Sequence, residues 1–331
     1  MKRMNVAPKL MAAAAVAAVV LGVPAAATAN PLTWGVEWPN TDFSKKSIDF
    51  KDILSGGPPK DGIPSIDNPE FVPVAEVRDL ADTEPVIGII INGDARAYPL
   101  RVMTWHEIAN DTVGGVPVTV TYCPLCNSSI VFDRRLDGRV LDFGTTGKLR
   151  KSDLVMYDRQ TESWWQQFSG TAIVGELNGK VLKMLPSRLE SFARFRERAP
   201  QGRVLVPNDP SMRRYGSNPY VNYDSSSYPF LFRGELPDGV NPMVRVVVVD
   251  GEAWTLPLLR RKGSIAKGNL SLVWEAGQNS ALDTRRIAEG RDVGNVIVRR
   301  RNGDRDEDVL YDVTFAFVFN AFHPGGVIHT E

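Results

Sequence analysis

Two cysteines and three histidines in 331 residues leave little room for several kinds of protein. A scaffold stapled by disulfides needs more cysteine than this, and so does a closed zinc site built from sulfur alone. Charge of one sign is missing too: 39 Lys and Arg face 39 Asp and Glu. The first 29 residues hold Lys2, Arg3 and Lys9 and no acid, so without them 36 bases face 39 acids, a charge of −3. That excludes a nucleic-acid binder driven by bulk charge. The apolar stretch at 10–21 is too short to span a bilayer. With 43% hydrophobic and 24% charged residues, the chain is neither disordered nor a multi-span membrane protein.

The N-terminus has a readable order. Lys2, Arg3 and Lys9 come first, then the apolar run, then Pro24 and the small residues Ala27-Thr28-Ala29 before Asn30. Charge, apolar stretch and small-residue site in that order make a secretory signal peptide over 1–29. The mature protein is expected in the periplasm or outside the cell, with no transmembrane span after cleavage.

Residues 30–84 are rich in Pro, Gly and Asp and read as a loop-dominated lead-in. Beyond them the pattern is that of a mainly β, β-rich α+β protein. Residues 86–91 and 95–98 make a hairpin around Asn92-Gly93, and 116–122 alternates as a strand. Ser187, with Glu190 three residues on and Leu189, Phe192 and Phe195 along one face, predicts a helix over 187–198. The stretch 244–258 repeats 86–100, with Asp250-Gly251 in place of Asn92-Gly93. Further matches follow in order: 118–122 with 270–274, then Asn127-Ser128 with Asn279-Ser280. Tyr157, Asp158, Trp165 and Phe168 fall on Tyr311, Asp312, Phe319 and Phe322. The expected organisation is two tandem homologous β-rich halves, 85–180 and 243–331, joined by a connecting segment over 181–242 with one helix.

Both cysteines fall in the first half, at the end of one strand, in Cys123-Pro124-Leu125-Cys126-Asn127. The matching positions of the second half read Glu275-Ala276-Gly277-Gln278-Asn279. Pro124 fixes φ after the first sulfur, and Asn127 tolerates a left-handed conformation after the second. A strand is expected next, not a helix, so no helix dipole is there to lower a thiol pKa. Three functions fit this knuckle. Cys123 and Cys126 can be the catalytic pair of a thiol–disulfide oxidoreductase, one sulfur attacking and the other resolving. With His106 as third ligand they can hold or deliver copper or zinc. A structural disulfide in a non-enzymatic envelope module is the third. The partner is a redox partner or a metal acceptor of the cell envelope, not nucleic acid; copper or zinc enters as cofactor only in the metal reading. Asp153, Asp158 and Glu162 are expected to be solvated loop carboxylates. A phosphate loop at 144–148 fails, because Asp142 stands where its first Gly belongs and Leu149 where Ser or Thr would hold magnesium.

Four motifs, DGIPSIDNP at 61–69, AYPL at 97–100, TYCPLCN at 121–127 and SDLVMYDRQTES at 152–163, carry a resemblance. They are similar to an uncharacterised bacterial family catalogued as domain of unknown function 3179, over about residues 60–235. The resemblance implies an exported or envelope location and no settled activity. Some relatives in that family are selenoproteins, which favours redox chemistry over a passive disulfide and transfers no role to either cysteine.

Overall fold

The computed structural model describes residues 31–331, and the signal-peptide reading of 1–29 lies outside them. About 40% of residues lie in strands and 15% in helices, so the protein is mainly β. The strands form five small sheets arranged like the blades of a five-bladed propeller, with one extra two-stranded hairpin. Among the described residues no helix is long and apolar enough to cross a membrane.

The first sheet begins where the sequence says it should. Pro85–Ile91 pairs antiparallel with Asp94–Pro99 through Asn92-Gly93, whose φ angles are +50° and +83°. Two positive φ values give the turn whose twist matches that of the strands, and Asn-Gly is its preferred pair. Arg245–Val249 and Glu252–Thr255 repeat the arrangement through Asp250-Gly251, at +50° and +78°. A seven-residue helix follows each hairpin, Leu100–His106 and Leu256–Lys262. After each helix the chain runs into three antiparallel strands. These are Ile108–Val113, Val116–Cys123 and Ser128–Asp133 in the first region. In the second they are Ser264–Lys267, Leu270–Glu275 and Asn295–Asn302.

Each opening hairpin is then flanked by two later strands. Arg188–Ser191 joins Pro85–Ile91 antiparallel and Arg203–Val206 joins Asp94–Pro99 parallel, with the helix Phe192–Arg198 between them. Asp312–Phe315 and Ile328–His329 do the same on the second hairpin, with Ala316–Phe322 between them. Two strands of the segment 181–242, expected as a connector, therefore belong to the first sheet. The helix expected over 187–198 is a strand and then a shorter helix. Pairing with Pro85–Ile91 outweighs the local capping pattern: Glu190 is buried and accepts from Arg198 Nε at 2.8 Å, and Ser191 takes the cap position.

The fifth sheet has no counterpart in the second region among the described residues. Its order is Ile53–Ser55, Phe143–Arg150, Asp153–Asp158, Trp164–Gln166 and Thr171–Val174. Tyr157, Asp158 and Trp165 lie on this sheet, whereas Phe319 and Phe322 lie on the helix Ala316–Phe322. That part of the internal alignment does not hold; the elements placed like 312–322 are those of 188–198. The lead-in is more ordered than its composition suggests. It contributes the helix Pro31–Glu37, and Trp34 and Trp38 pack on Trp164, with Trp38 edge-on to Tyr157 at 4.8 Å.

One core joins the opening hairpins through Ile87, Ile89, Tyr98, Val247, Val249 and Trp254. A second surrounds the cysteines with Phe132, Phe143, Met156, Trp165, Phe315 and Phe317. Burying one such side chain contributes about 1.5–3 kcal/mol. The cysteine turn is thus embedded in a core to which both regions and the fifth sheet contribute.

Candidate functional site

Cys123 ends the strand Val116–Cys123 and pairs in register with Ser128, so Pro124 to Asn127 form the turn of a hairpin. Two backbone bonds close it, Cys126 N to Cys123 O and Asn127 N to Pro124 O, each at 3.2 Å. Asn127 has φ +52°, the left-handed conformation its side chain tolerates better than most. The strand Asp312–Phe315 locks the turn from the other side. Thr314 Oγ1 donates to Cys126 O at 2.7 Å, and Asn127 Nδ2 donates to Val313 O at 2.7 Å.

The two cysteines are free thiols, 2% and 0% exposed. Both point at one atom: Cys123 Sγ and Cys126 Sγ lie 3.8 and 3.5 Å from the carbonyl oxygen of Ser152. Ser152 sits in the tight turn between Phe143–Arg150 and Asp153–Asp158, with Lys151 at φ +54° and Ser152 at +65°. Neither residue is the Gly or Asn that such a turn favours, so strain is held next to the sulfurs. The next residue, Asp153, is fully buried. A carboxyl oxygen of Asp153 and the two sulfurs all lie within 4.8 Å of one another. Asp153 Oδ2 accepts from Gln166 Nε2 at 2.6 Å and from Phe168 N at 2.9 Å, while Oδ1 is buried without a hydrogen-bond partner.

Burial sets the protonation of this group. It raises the Cys123 thiol above its ordinary value, and the Cys126 thiol well above it. It pushes Asp153 up to about 6 and Glu107 up to about 8, the latter aided by the charge of Asp153. Glu107 follows the helix Leu100–His106, and its carboxyl makes no hydrogen bond or ion pair among the described residues. A cleft of about 790 Å³ adjoins the turn at Leu125, lined by Tyr220, Tyr223, Phe230 and Phe232 among others. Tyr223 Oη donates to Leu125 O at 3.0 Å, tying the cleft wall to the turn.

His106 is not part of this group. Its Nδ1 is 2.7 Å from Pro64 O and its Nε2 2.8 Å from Tyr215 Oη, so both ring nitrogens are committed elsewhere. The third potential donor beside the sulfurs is Asp153. Two sulfurs and one carboxylate oxygen are one short of a closed tetrahedral site, and metal binding would need both thiols ionised, which burial opposes. Asp153 and Asp158, expected as solvated loop acids, both lie on a buried strand, and Glu162 is 8% exposed. The signal for Asp153 was its place at the head of SDLVMYDRQTES. Glu107 is the neighbour of His106 in sequence.

A family model described as a protein of unknown function, DUF3179, matches residues 60–326. No curated protein and no solved structure matches the chain.

Proposed function

Since this chain belongs to the DUF3179 family of proteins of unknown function, whose description names no chemistry, we propose from the site itself that it is a thiol–disulfide redox protein. The carrying observation is the convergence of Cys123 Sγ, Cys126 Sγ and an Asp153 oxygen within 4.8 Å in a buried space. Oxidation by a disulfide breaks two S–H bonds and forms one S–S bond in the protein. The acceptor's S–S bond breaks and takes up the two electrons and two protons. A low-dielectric site accommodates dithiol and disulfide alike, because both are neutral, and it disfavours a lasting thiolate. A nearby base must therefore take the proton as sulfur attacks. Asp153, with its pKa near 6 and a free buried oxygen, suits that task. Cys123 is the attacking sulfur in this reading, since its thiol is raised less than that of Cys126 and retains slight exposure.

The signal-peptide reading places this chemistry in the periplasm or outside the cell, where disulfide exchange has partners. We also infer that the regions beginning at Pro85 and Arg245 are tandem copies of one unit, since hairpin, helix, meander and flanking strands recur in the same order. The test uses protein purified without chelator and challenged with a small disulfide. Cys126→Ser should trap a mixed disulfide on Cys123, visible by mass spectrometry, and metal analysis should find less than a tenth of an equivalent, on the order of background. Near-stoichiometric copper or zinc, with no trapped adduct, would replace this reading by metal binding.

A further inference from the structure

Disulfide exchange requires a sulfur of the protein to touch a sulfur of its partner. Cys123 and Cys126 are 2% and 0% exposed, so in this closed arrangement neither can. One side of the enclosure is fastened through Phe230. Its N–H donates to Tyr223 Oη at 3.3 Å, and that hydroxyl donates to Leu125 O, inside the cysteine turn, at 3.0 Å. Its carbonyl accepts from Ser152 Oγ at 2.5 Å, and the carbonyl of Ser152 is the atom both sulfurs face. Phe230 is thus tied to both walls of the dithiol site, to one directly and to the other through Tyr223. Two residues on, Phe232 is 5% exposed, packs against Phe317 at 5.0 Å and belongs to the core that holds both cysteines.

The segment that carries these two phenylalanines is weakly held. Among the described residues, 227–240 makes no backbone–backbone hydrogen bond. Beyond its own flank at Ser226, three hydrogen bonds fasten it: the two at Phe230 and one from Asn320 Nδ2 to Glu235 O at 2.9 Å. Leu231, between the two phenylalanines, has φ +53°, a costly conformation for a residue with a β-carbon. Tyr228 and Phe230 leave about half of their surface in water. The strand Val116–Cys123, by contrast, is paired with a neighbour on each side. A stretch with few backbone bonds, local strain and exposed rings opens at lower free energy than the sheets around it.

We propose that residues 227–240 are a lid on the dithiol, with Tyr223 as its latch, and that a disulfide reaches the sulfurs through the cleft at Leu125 when the lid lifts. The proposal rests on the redox reading and adds to it how a buried pair meets its partner. The cleft lies where lid and turn meet, lined by Leu125 from the turn, Tyr223 from the latch, and Phe230 and Phe232 from the lid. Closed, the lid keeps the thiols in a low-dielectric space where they stay protonated; lifted, it gives a disulfide access to them.

Two variants of the full chain loosen the lid and leave the sulfurs, Ser152 and Asp153 in place. Tyr223→Phe keeps the ring and removes the latch hydroxyl. Gly234→Ala puts a β-carbon 2.5 Å from the tip of the Phe232 ring, so the ring has to shift. Reduced protein is treated with N-ethylmaleimide at urea concentrations below the unfolding transition, and alkylated thiols are followed by mass spectrometry. Oxidation by hydroxyethyl disulfide is timed in parallel, and thermal melting checks that each variant is folded. The expected result is that wild type alkylates at a rate almost independent of urea, as local opening does. Tyr223→Phe should raise alkylation and oxidation together by about 5-fold, the effect of one lost hydrogen bond, and Gly234→Ala by at least as much. If alkylation climbs with urea as steeply as global unfolding, or if neither variant changes it by more than about twofold, the lid is overturned and the redox reading is untouched. If the variants alkylate faster but the disulfide oxidises neither them nor wild type, the redox reading falls and the gate falls with it.

Discussion

The turn at 123–126 and the turn at 275–278 each end the second strand of a three-stranded meander, and they are held in opposite ways. The second is a bend built on a carboxylate, with Ala276 exposed and Gln278 buried. Asp292, itself exposed, accepts from the amides of Gly277, Gln278 and Gly294 at 2.8–3.2 Å. The first is a buried turn built on packing and on a neighbouring strand, with its two thiols turned inward toward Ser152. What separates them is the sheet that contains Phe143–Arg150 and Asp153–Asp158. Among the described residues only the first region has it, and it brings Ser152 and Asp153 onto the sulfurs. In the proposed reading a hairpin turn with two cysteines is not yet a site, and the carboxyl that the added sheet supplies is what makes it one.

Removing sulfur should have the largest effect on this difference. Cys123→Ser should abolish reduction of a small disulfide, whereas Gln278→Ser in the opposite turn should leave it unchanged; a turnover assay on both variants decides. Next is Asp153→Asn, which keeps an oxygen for the Gln166 and Phe168 bonds and loses the base. The rate should drop about 10²–10⁴-fold, with the circular dichroism spectrum retained. The matching change, Asp292→Ala, should cost about 1–3 kcal/mol in a denaturant melt and leave the rate alone.

A pH titration of stability sharpens the comparison further. Burial raises Asp153, Asp312 and Glu107 to about 6, 7 and 8 in the folded protein, from ordinary values near 4. A raised acid contributes stability that is complete below its unfolded pKa and is lost as pH rises through its folded pKa. Stability should therefore fall between about pH 4 and pH 8. Glu107→Gln should flatten the upper part of that fall, read as melting temperature against pH. His106→Ala should have the smallest effect on the chemistry. It loses the bonds to Pro64 and Tyr215, for about 1–3 kcal/mol of stability, while the thiol oxidation rate stays within about twofold of wild type.

Much of this was legible in the sequence where local chemistry decides structure. Asn92-Gly93 and Asp250-Gly251 force their turns, and Pro124 with Asn127 forces the cysteine hairpin. The sequence points to a helix over 187–198 because Ser187 and Glu190 imitate a capping pattern in residues whose partner strand lies a hundred residues earlier. Asp153 reads as a solvated acid because a carboxylate ordinarily is one, and only a strand buried on both faces overrides that. His106 draws notice through its residue type, yet the acid that lies against both sulfurs is Asp153. Residue type showed which segment mattered, but the long-range sheet pairings select which side chain in it faces the site.

The central claim is that Cys123 and Cys126 cycle between dithiol and disulfide. The most direct test is the reduction potential of this pair, measured by equilibrating chelator-free protein with thiol–disulfide buffers and trapping the thiols for mass analysis. A reversible two-electron transition well above about −300 mV, the level below which structural disulfides lie, is the predicted result. A pair that cannot be oxidised reversibly, or whose midpoint lies below that level, would contradict the claim.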